Sequence, residues 1–388
     1  MNPYISEDEI VALMQEIVQL PTINPPANTT ECAKFILDRL NENGISAQLK
    51  KGKTGIANVL AKLSGQKKGK VLLLNGHIDV VTPGEGWTVD PFGAEVKDGM
   101  IYGRGASDMK SGIVSMMAAM IGFRRSGKPF DGEIIFMAVG DEETGSQFGT
   151  RYLLENNFGT NANFAIIAEP TNLAVELGNR GLRWLDICIT GKACHASRPH
   201  LGVNAILYAA KLVEAIESHR FERRDNRFEI PTPSMSVTMI DGGTQVNVIP
   251  NRCRLTIDRR MIPGETTETV IAEVQEIIDS ILSSQKEAVV EVKMRPTYWD
   301  PYLISETEPI VQAIVESINK VIGKDPVMRA KAGCTDGSHI FHIGKIPAVI
   351  FGPGIPELAH KVDEYVPIKN VVMATEILMT TFENLLAQ

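Results

Sequence analysis

Several broad classes are argued against by what the chain lacks. No segment is long and apolar enough to span a bilayer, and the opening Met1-Asn2-Pro3-Tyr4-Ile5-Ser6-Glu7-Asp8-Glu9 has neither a basic region nor an apolar core. Neither a signal peptide nor a membrane anchor is expected. With 47 acidic against 39 basic residues the formal net charge is −8, and no Lys/Arg stripe is interleaved with aromatics, which argues against a nucleic-acid surface. The five cysteines (Cys32, Cys188, Cys194, Cys253 and Cys334) are odd in number and form no CxxC pair, so a reduced, cytoplasmic protein is expected. Repeats and low-complexity tracts are absent. So is a GxSxG nucleophile elbow, which leaves Cys194 beside His195 as the one tempting dyad. Adjacent residues on an extended segment point to opposite faces, which discourages it.

What is present is an ordinary globular composition, 44% hydrophobic and 22% charged, over 388 residues, a length that favours two domains. Ser6 and Glu9 form a capping signature for a helix over 6–20. Helices follow over 29–43, 109–125 and 148–157, with strands at 71–75, 133–139 and 164–168 and a Gly/Pro-rich loop over 82–106. This is βαβ grammar, hence an α/β domain with a mostly parallel sheet covered by helices. After about 178 the pattern becomes strand (182–191), helix (203–219), strands (234–240, 252–260), helix (267–284) and strand (288–294), which reads as ferredoxin-like α+β. The first style returns with a helix over 307–322, a strand at 347–351 and a helix over 368–386. The reading is one α/β catalytic domain (1–178 and 294–388) interrupted by an inserted α+β domain (179–293).

Four apolar runs end abruptly in an acid or histidine. Val71-Leu72-Leu73-Leu74 runs into His77 and Asp79, and Ile134 to Val139 into Asp141-Glu142-Glu143. Ala165-Ile166-Ile167-Ala168 runs into Glu169, and Ala348-Val349-Ile350-Phe351 leads on to His360. Ligands of open α/β sheets bind beyond the carboxyl ends of the strands, so the four point to one shared site. His77 and Asp79 share a face of an extended segment, where the acid can hold the second ring nitrogen of a metal-bound imidazole. Adjacent carboxylates at Glu142-Glu143 after a buried strand repel unless a cation or proton compensates; one can bind metal while the other handles protons, and Asp141 reads as the solvated member. Asp108, just before a helix, reads by itself as a helix cap. Mixed nitrogen and oxygen donors suit zinc, cobalt or manganese, and two ions about 3.5–4 Å apart form a familiar hydrolytic arrangement.

With these residues assembled the chain resembles the M20 family of metallopeptidases, most of all its acetylornithine deacetylase/succinyl-diaminopimelate desuccinylase group. The resemblance rests on Gly76-His77-Ile78-Asp79-Val80-Val81 with Trp87 and Asp90-Pro91-Phe92, and on Gly103-Arg104-Gly105 with Asp108-Met109-Lys110. It continues through Asp141-Glu142-Glu143, Glu169-Pro170-Thr171, Phe351-Gly352-Pro353-Gly354, Ala359-His360 and Asp363-Glu364-Tyr365. It implies a zinc-exopeptidase-like catalytic domain with an inserted dimerisation and lid domain. It also implies His77 on one metal ion and His360 on the other, Asp108 bridging them in place of a cap, and Glu143 and Glu169 completing the shells. Glu142 would be the general base, with Asp79 orienting His77. From the inserted domain His195 would assist the substrate carbonyl, often across a homodimer, while Asn247 and Arg260 would contact substrate, Arg260 gripping a carboxylate. Arg180 and Thr335 resemble further substrate-side positions.

The function so implied is hydrolysis of the amide of an N-acyl amino acid by two divalent ions, zinc first. A carboxypeptidase or dipeptidase acting on short peptides is the near alternative. The segment Asn179-Arg180-Gly181-Leu182-Arg183 and the turn Gly333-Cys334-Thr335-Asp336 depart from the usual desuccinylase pattern. A non-catalytic protein on this fold would be expected to lose Glu142 or a ligand, and none is missing.

Overall fold

The computed structural model describes residues 3–283 and 287–386. The chain divides into two compact units. One contains the residues up to Asn179, Leu303–Lys331 and those from Thr335 onward; the other is Arg180–Tyr302 with Ala332–Cys334.

In the first unit the apolar runs form the middle of a nine-stranded sheet. Glu133–Val139, Val71–His77, Phe164–Ile167 and Ala348–Ile350 lie side by side in that order, each parallel to the next. Parallel neighbours have their carboxyl ends at one edge, so the four terminating residues share that edge. Residues 72–77 are all buried, as an unbroken aliphatic strand covered on both faces requires. Ile56–Ser64 and then Ser46–Lys53 extend the sheet antiparallel on one side; on the other Val175–Asn179 joins antiparallel and carries Tyr302–Leu303 and, in parallel, Met328–Lys331. Ser46–Lys53 alternates exposed and half-buried residues and carries no apolar run, which is why its sequence does not announce it.

The helices follow their signals closely. Glu7–Val18 is held by a capping box, with the Glu9 N–H donating to Ser6 Oγ at 3.2 Å and the Ser6 N–H donating to Glu9 Oε2 at 3.0 Å. Ser111–Ser126 is buried on nearly every side and packs against Ile368–Leu386. Gly112 lets that helix approach the sheet, because a Cβ there would collide with the Ala168 carbonyl. The expected loop over 82–106 is partly ordered as a hairpin. Glu95–Lys97 and Met100–Tyr102 pair through an Asp98-Gly99 turn with φ of 51° and 75°, the two left-handed residues a tight hairpin needs. Tyr365–Pro367 adds a third strand to it.

The second unit has the strand order Ser234–Gly242, Arg252–Met261, Gly181–Thr190, Val289–Trp299, all antiparallel. Helices Ala205–Ser218 and Thr267–Leu282 cover one face, burying Leu212, Ile216, Val274 and Ile278 against Leu185 and Ile187. This is the ferredoxin-like pattern. The last strand runs to Trp299, past the expected 294, with a register shift between Met294 and Tyr298 where Pro296 lacks an N–H for the ladder. Among the described residues no helix is long and apolar enough to cross a membrane.

Leu74 is wholly buried in the central strand. Leu74→Ala is expected to destabilise the chain by about 2–5 kcal/mol, read as a lower urea midpoint by circular dichroism; an unchanged midpoint would show that this strand is not central to the core.

Candidate metal centre

His77 closes its strand, Glu142–Thr144 form a helical turn just past Val139, and Glu169 lies two residues beyond Ile167. Two groups of ligand-type atoms result, each with its atoms within 4.8 Å of one another: His77, Asp108 and Glu169, and Asp108, Glu143 and His360. His77 Nε2 lies 3.1 Å from Asp108 Oδ1 and 3.8 Å from Glu169 Oε1. His360 Nε2 lies 3.5 Å from Asp108 Oδ2 and 3.2 Å from Glu143 Oε1. Asp108 thus presents one oxygen to each histidine. It is not a helix cap: the helix it precedes begins three residues on at Ser111, with Lys110 in the capping position and no side-chain cap bond.

The surrounding groups set how these side chains face. His77 Nδ1 is 2.9 Å from the Asp79 carbonyl oxygen, which only accepts, so the neutral ring carries its proton there and turns the Nε2 lone pair toward Asp108 and Glu169. The carboxylate of Asp79 is farther from the ring, at 3.6 Å. It accepts instead from the Glu142 and Glu143 N–H groups, each at 3.2 Å, and from Asn24 Nδ2 at 2.9 Å. Asp79 therefore orients the imidazole through its backbone and the two glutamates through its side chain. Asp141, expected in solvent, is buried: it accepts from Thr144 Oγ1 at 2.6 Å and the Phe148 N–H at 2.8 Å, closing the turn that carries Glu142.

Burial pushes Asp79 up to about 7 and Glu169 up to about 8, with neighbouring carboxylates adding to both. Burial also raises Glu142 well above the carboxylate range, helped by Glu169, Asp336 and Glu143 and opposed by His77. Burial opposes a charge on His77, yet Asp108, Glu142 and Glu169 push the imidazole well above its ordinary value. Lys331 relieves part of the repulsion, with Nζ 4.0 Å from Glu169 Oε2 and 3.7 Å from Glu176 Oε2. Without a metal the cluster must hold protons. Its two imidazole nitrogens among carboxylate oxygens fit one or two zinc-like divalent ions. Asn24 and Lys331 carry no motif in the sequence; only the fold brings them, with Asp336 of the turn Gly333-Cys334-Thr335-Asp336, to this edge. Asp336 is buried and accepts from Ser146 Oγ and, at 2.7 Å, from Thr150 Oγ1.

The other expected site residues divide between the units. Thr335 is buried in the first unit, where its hydroxyl donates to Asn179 Oδ1 at 2.8 Å and accepts from the Gly337 N–H at 3.1 Å. That hydroxyl is engaged internally. In the second unit His195 pairs with Val248 across a two-residue ladder, and the Ala196 N–H donates to the Asn247 carbonyl at 2.9 Å, so His195 and Asn247 are neighbours. The Ser197 N–H donates to His195 Nδ1 at 3.1 Å, which leaves the neutral ring's proton on Nε2. Arg260 forks onto Asp258 with Nε–Oδ1 at 2.7 Å and Nη2–Oδ2 at 3.2 Å. Arg180 is buried and donates to the Thr232 carbonyl at 3.1 Å and Ser234 Oγ at 3.0 Å.

The sequence model of peptidase family M20/M25/M40 matches residues 73–384. Succinyl-diaminopimelate desuccinylase 2 of Ruegeria sp. (strain TM1040) is 32% identical over 380 residues, covering 93% of this chain and 91% of that protein. A tripeptidase from Staphylococcus aureus superposes with a TM-score of 0.81 at 22% identity, covering 97% of this chain and 98% of that one. A dinuclear metal-binding peptidase from Bacillus subtilis superposes with a TM-score of 0.76 at 17% identity over 97% of each chain. At such identity the structural likeness concerns the fold.

A pH dependence follows. Asp79 and Glu169 keep their protons up to about 7 and about 8 when folded, whereas unfolded carboxyls ionise near 4. The folded state then binds more protons, so this contribution is full at acid pH and is lost as pH rises through about 7 to 8. His77, also raised, acts in the same direction. The metal-free protein should therefore melt at a lower temperature near pH 8.5 than near pH 6, and zinc should flatten that slope by taking the place of the protons. A melting temperature that rises across this window without metal would contradict the assignment.

Proposed function

Because the chain belongs to peptidase family M20/M25/M40 and is a metal-dependent hydrolase, we propose that it cleaves the amide of an N-acyl amino acid, of the deacetylase or desuccinylase type. The observation that carries this reading is Asp108, a single carboxylate offering one oxygen toward His77 and the other toward His360. His77 and Glu169 would hold one ion, His360 and Glu143 the other, with Asp108 between them; zinc suits this donor set, and cobalt or manganese can replace it. Bound there, the ions supply Lewis acidity toward the scissile carbonyl and lower the pKa of water.

The chain's own groups do the rest. Glu142 belongs to neither ligand group, and its backbone is fixed by Asp79. Its carboxyl has a high proton affinity, as a base that must take a proton from water and return it to the leaving amine requires. His195 presents its Nε2–H as donor to the oxyanion that develops on the carbonyl oxygen. Asn247 and Arg260 bind the substrate, the guanidinium exchanging Asp258 for a substrate carboxylate. Arg180 supports that region through Ser234 at the head of the neighbouring strand. A homodimer through the inserted unit is in keeping with the exposed Leu207, Met239, Ile240 and Val246 on it. Five free thiols suit a reducing, cytoplasmic compartment.

Assay of the zinc- or cobalt-loaded protein against N-acetyl and N-succinyl amino acids and dipeptides tests the substrate class. N-acyl amino acids should be turned over best; a preference for dipeptides would transfer the chain to the peptidase side of the family, and activity that survives chelation would defeat the mechanism. Glu142→Gln should lower kcat by roughly 10²–10⁴-fold with zinc content unchanged. His195→Ala should lower kcat by roughly 10²–10³-fold with KM little altered, and wild-type kcat in that variant would remove His195 from the mechanism.

A further inference from the structure

Glu364 lies four residues past His360, in the segment Asp363-Glu364-Tyr365, and is completely buried. An acid in that position needs compensation. It receives four donors: Oε1 accepts from the Ser107 and Asp108 N–H groups at 2.8 and 2.9 Å, and Oε2 from Arg104 Nη1 at 2.6 Å and the Gly105 N–H at 3.1 Å. Its own carbonyl accepts from the Gly103 N–H at 2.8 Å. All five donors come from the short segment that ends in Asp108, 256 residues earlier in the chain.

The same contact reaches back to His360. Arg104 Nη2 donates to the His360 carbonyl at 3.4 Å and to the Pro83 carbonyl at 3.1 Å, and its guanidinium lies 5.2 Å from the Trp87 ring centre. Beside Glu364, Asp363 accepts from the Thr88 N–H at 2.8 Å and Thr88 Oγ1 at 3.1 Å. His360 needs such support. Its φ of 64° is left-handed, where a residue with a side chain rarely rests, and its side chain is 54% exposed, so packing alone does not place it.

We propose that Glu364 is a positioning residue that sets Asp108 and His360 in fixed relation, so that the ion they share meets a preformed site. The proposal rests on the metal reading above. An apolar pair in place of Arg104 and Glu364 would fill the same space at no electrostatic cost. What it would not supply is a double acceptor for the three N–H groups that lead up to the Asp108 side chain. Outer groups of this kind govern metal affinity through the ligands they orient.

Zinc titration of the full-length protein by calorimetry, with cobalt absorption spectra in parallel, tests this. Wild type should bind two ions per chain. Glu364→Gln turns one acceptor into a donor facing donors, and should weaken the ion shared with His360 by roughly 10–100-fold and the ion shared with His77 less. The cobalt spectrum of the second equivalent should change, and excess zinc should restore kcat at unaltered KM. Arg104→Lys keeps the charge opposite Glu364 but withdraws the second guanidinium nitrogen from the His360 carbonyl; it should weaken the same ion a few-fold, and it decides the matter if Glu364→Gln does not fold. Wild-type affinity for both ions in either folded variant overturns the positioning role. So does a loss that affects both ions equally and tracks the metal-free melting temperature. A wild-type chain that binds fewer than two zinc ions overturns the metal reading itself, and the positioning role with it.

Discussion

Repulsion among carboxylates gathered at one edge of a parallel sheet is the constraint on which the rest of the first unit depends. Asp79, Asp141, Glu142, Glu169 and Asp336 are all buried there, with Asp108 and Glu143 beside them. Desolvation favours the neutral acid, and each ionised neighbour favours it further. The two imidazoles, whose proton affinity the neighbouring acids raise, and Lys331 offset only part of this. Such a cluster remains folded either by retaining protons, as the raised values of Asp79 and Glu169 indicate, or by accepting divalent cations. The chemistry proposed for the site and its cost to the fold are thus the same fact.

That cost is contained by groups that are themselves acidic. Asp79 holds the two glutamate amides, Asp141 closes the turn that carries them, and Glu364 holds the loop before Asp108. In each case a buried carboxylate accepts from backbone N–H groups, which satisfies both partners and ties down the ligand-bearing loop. The site is therefore two layers of acid: an inner one, with the histidines, that would face bound ions, and an outer one facing the backbone. The second unit is built differently. Arg260 is paired with Asp258 and Arg180 donates to Ser234, while His195 stands on a short ladder and Asn247 in the turn just before its partner strand.

Much of this was legible in one dimension. Val71–His77 and Glu133–Val139 are continuous aliphatic runs whose burial on both faces admits little else than a parallel strand, and each ends in the residue that matters. Ser6 and Glu9 mark their helix by local chemistry alone. The hairpin at Asp98-Gly99 was harder to see, because three-residue strands carry too little periodicity to stand out. Asp108 was misleading for a related reason: an acid shortly ahead of a helix looks the same in sequence whether or not it caps, and only the start of the helix at Ser111 and the two histidines that its oxygens face distinguish the two. Asp141 looked solvated because adjacent acids usually are.

The sequence by itself determined the parallel centre of the sheet, the ferredoxin-like pattern of the second unit and the residue types of the metal centre, because apolar period and strand-end acids are local properties. The tertiary structure decided how those residues divide the work. That Asp108 faces both histidines, that Asp79 serves the glutamate amides, and that Glu364 grips a loop 256 residues away are consequences of long-range hydrogen bonds. Those bonds depend on where backbone N–H groups point after folding, and side-chain type alone carries no record of that.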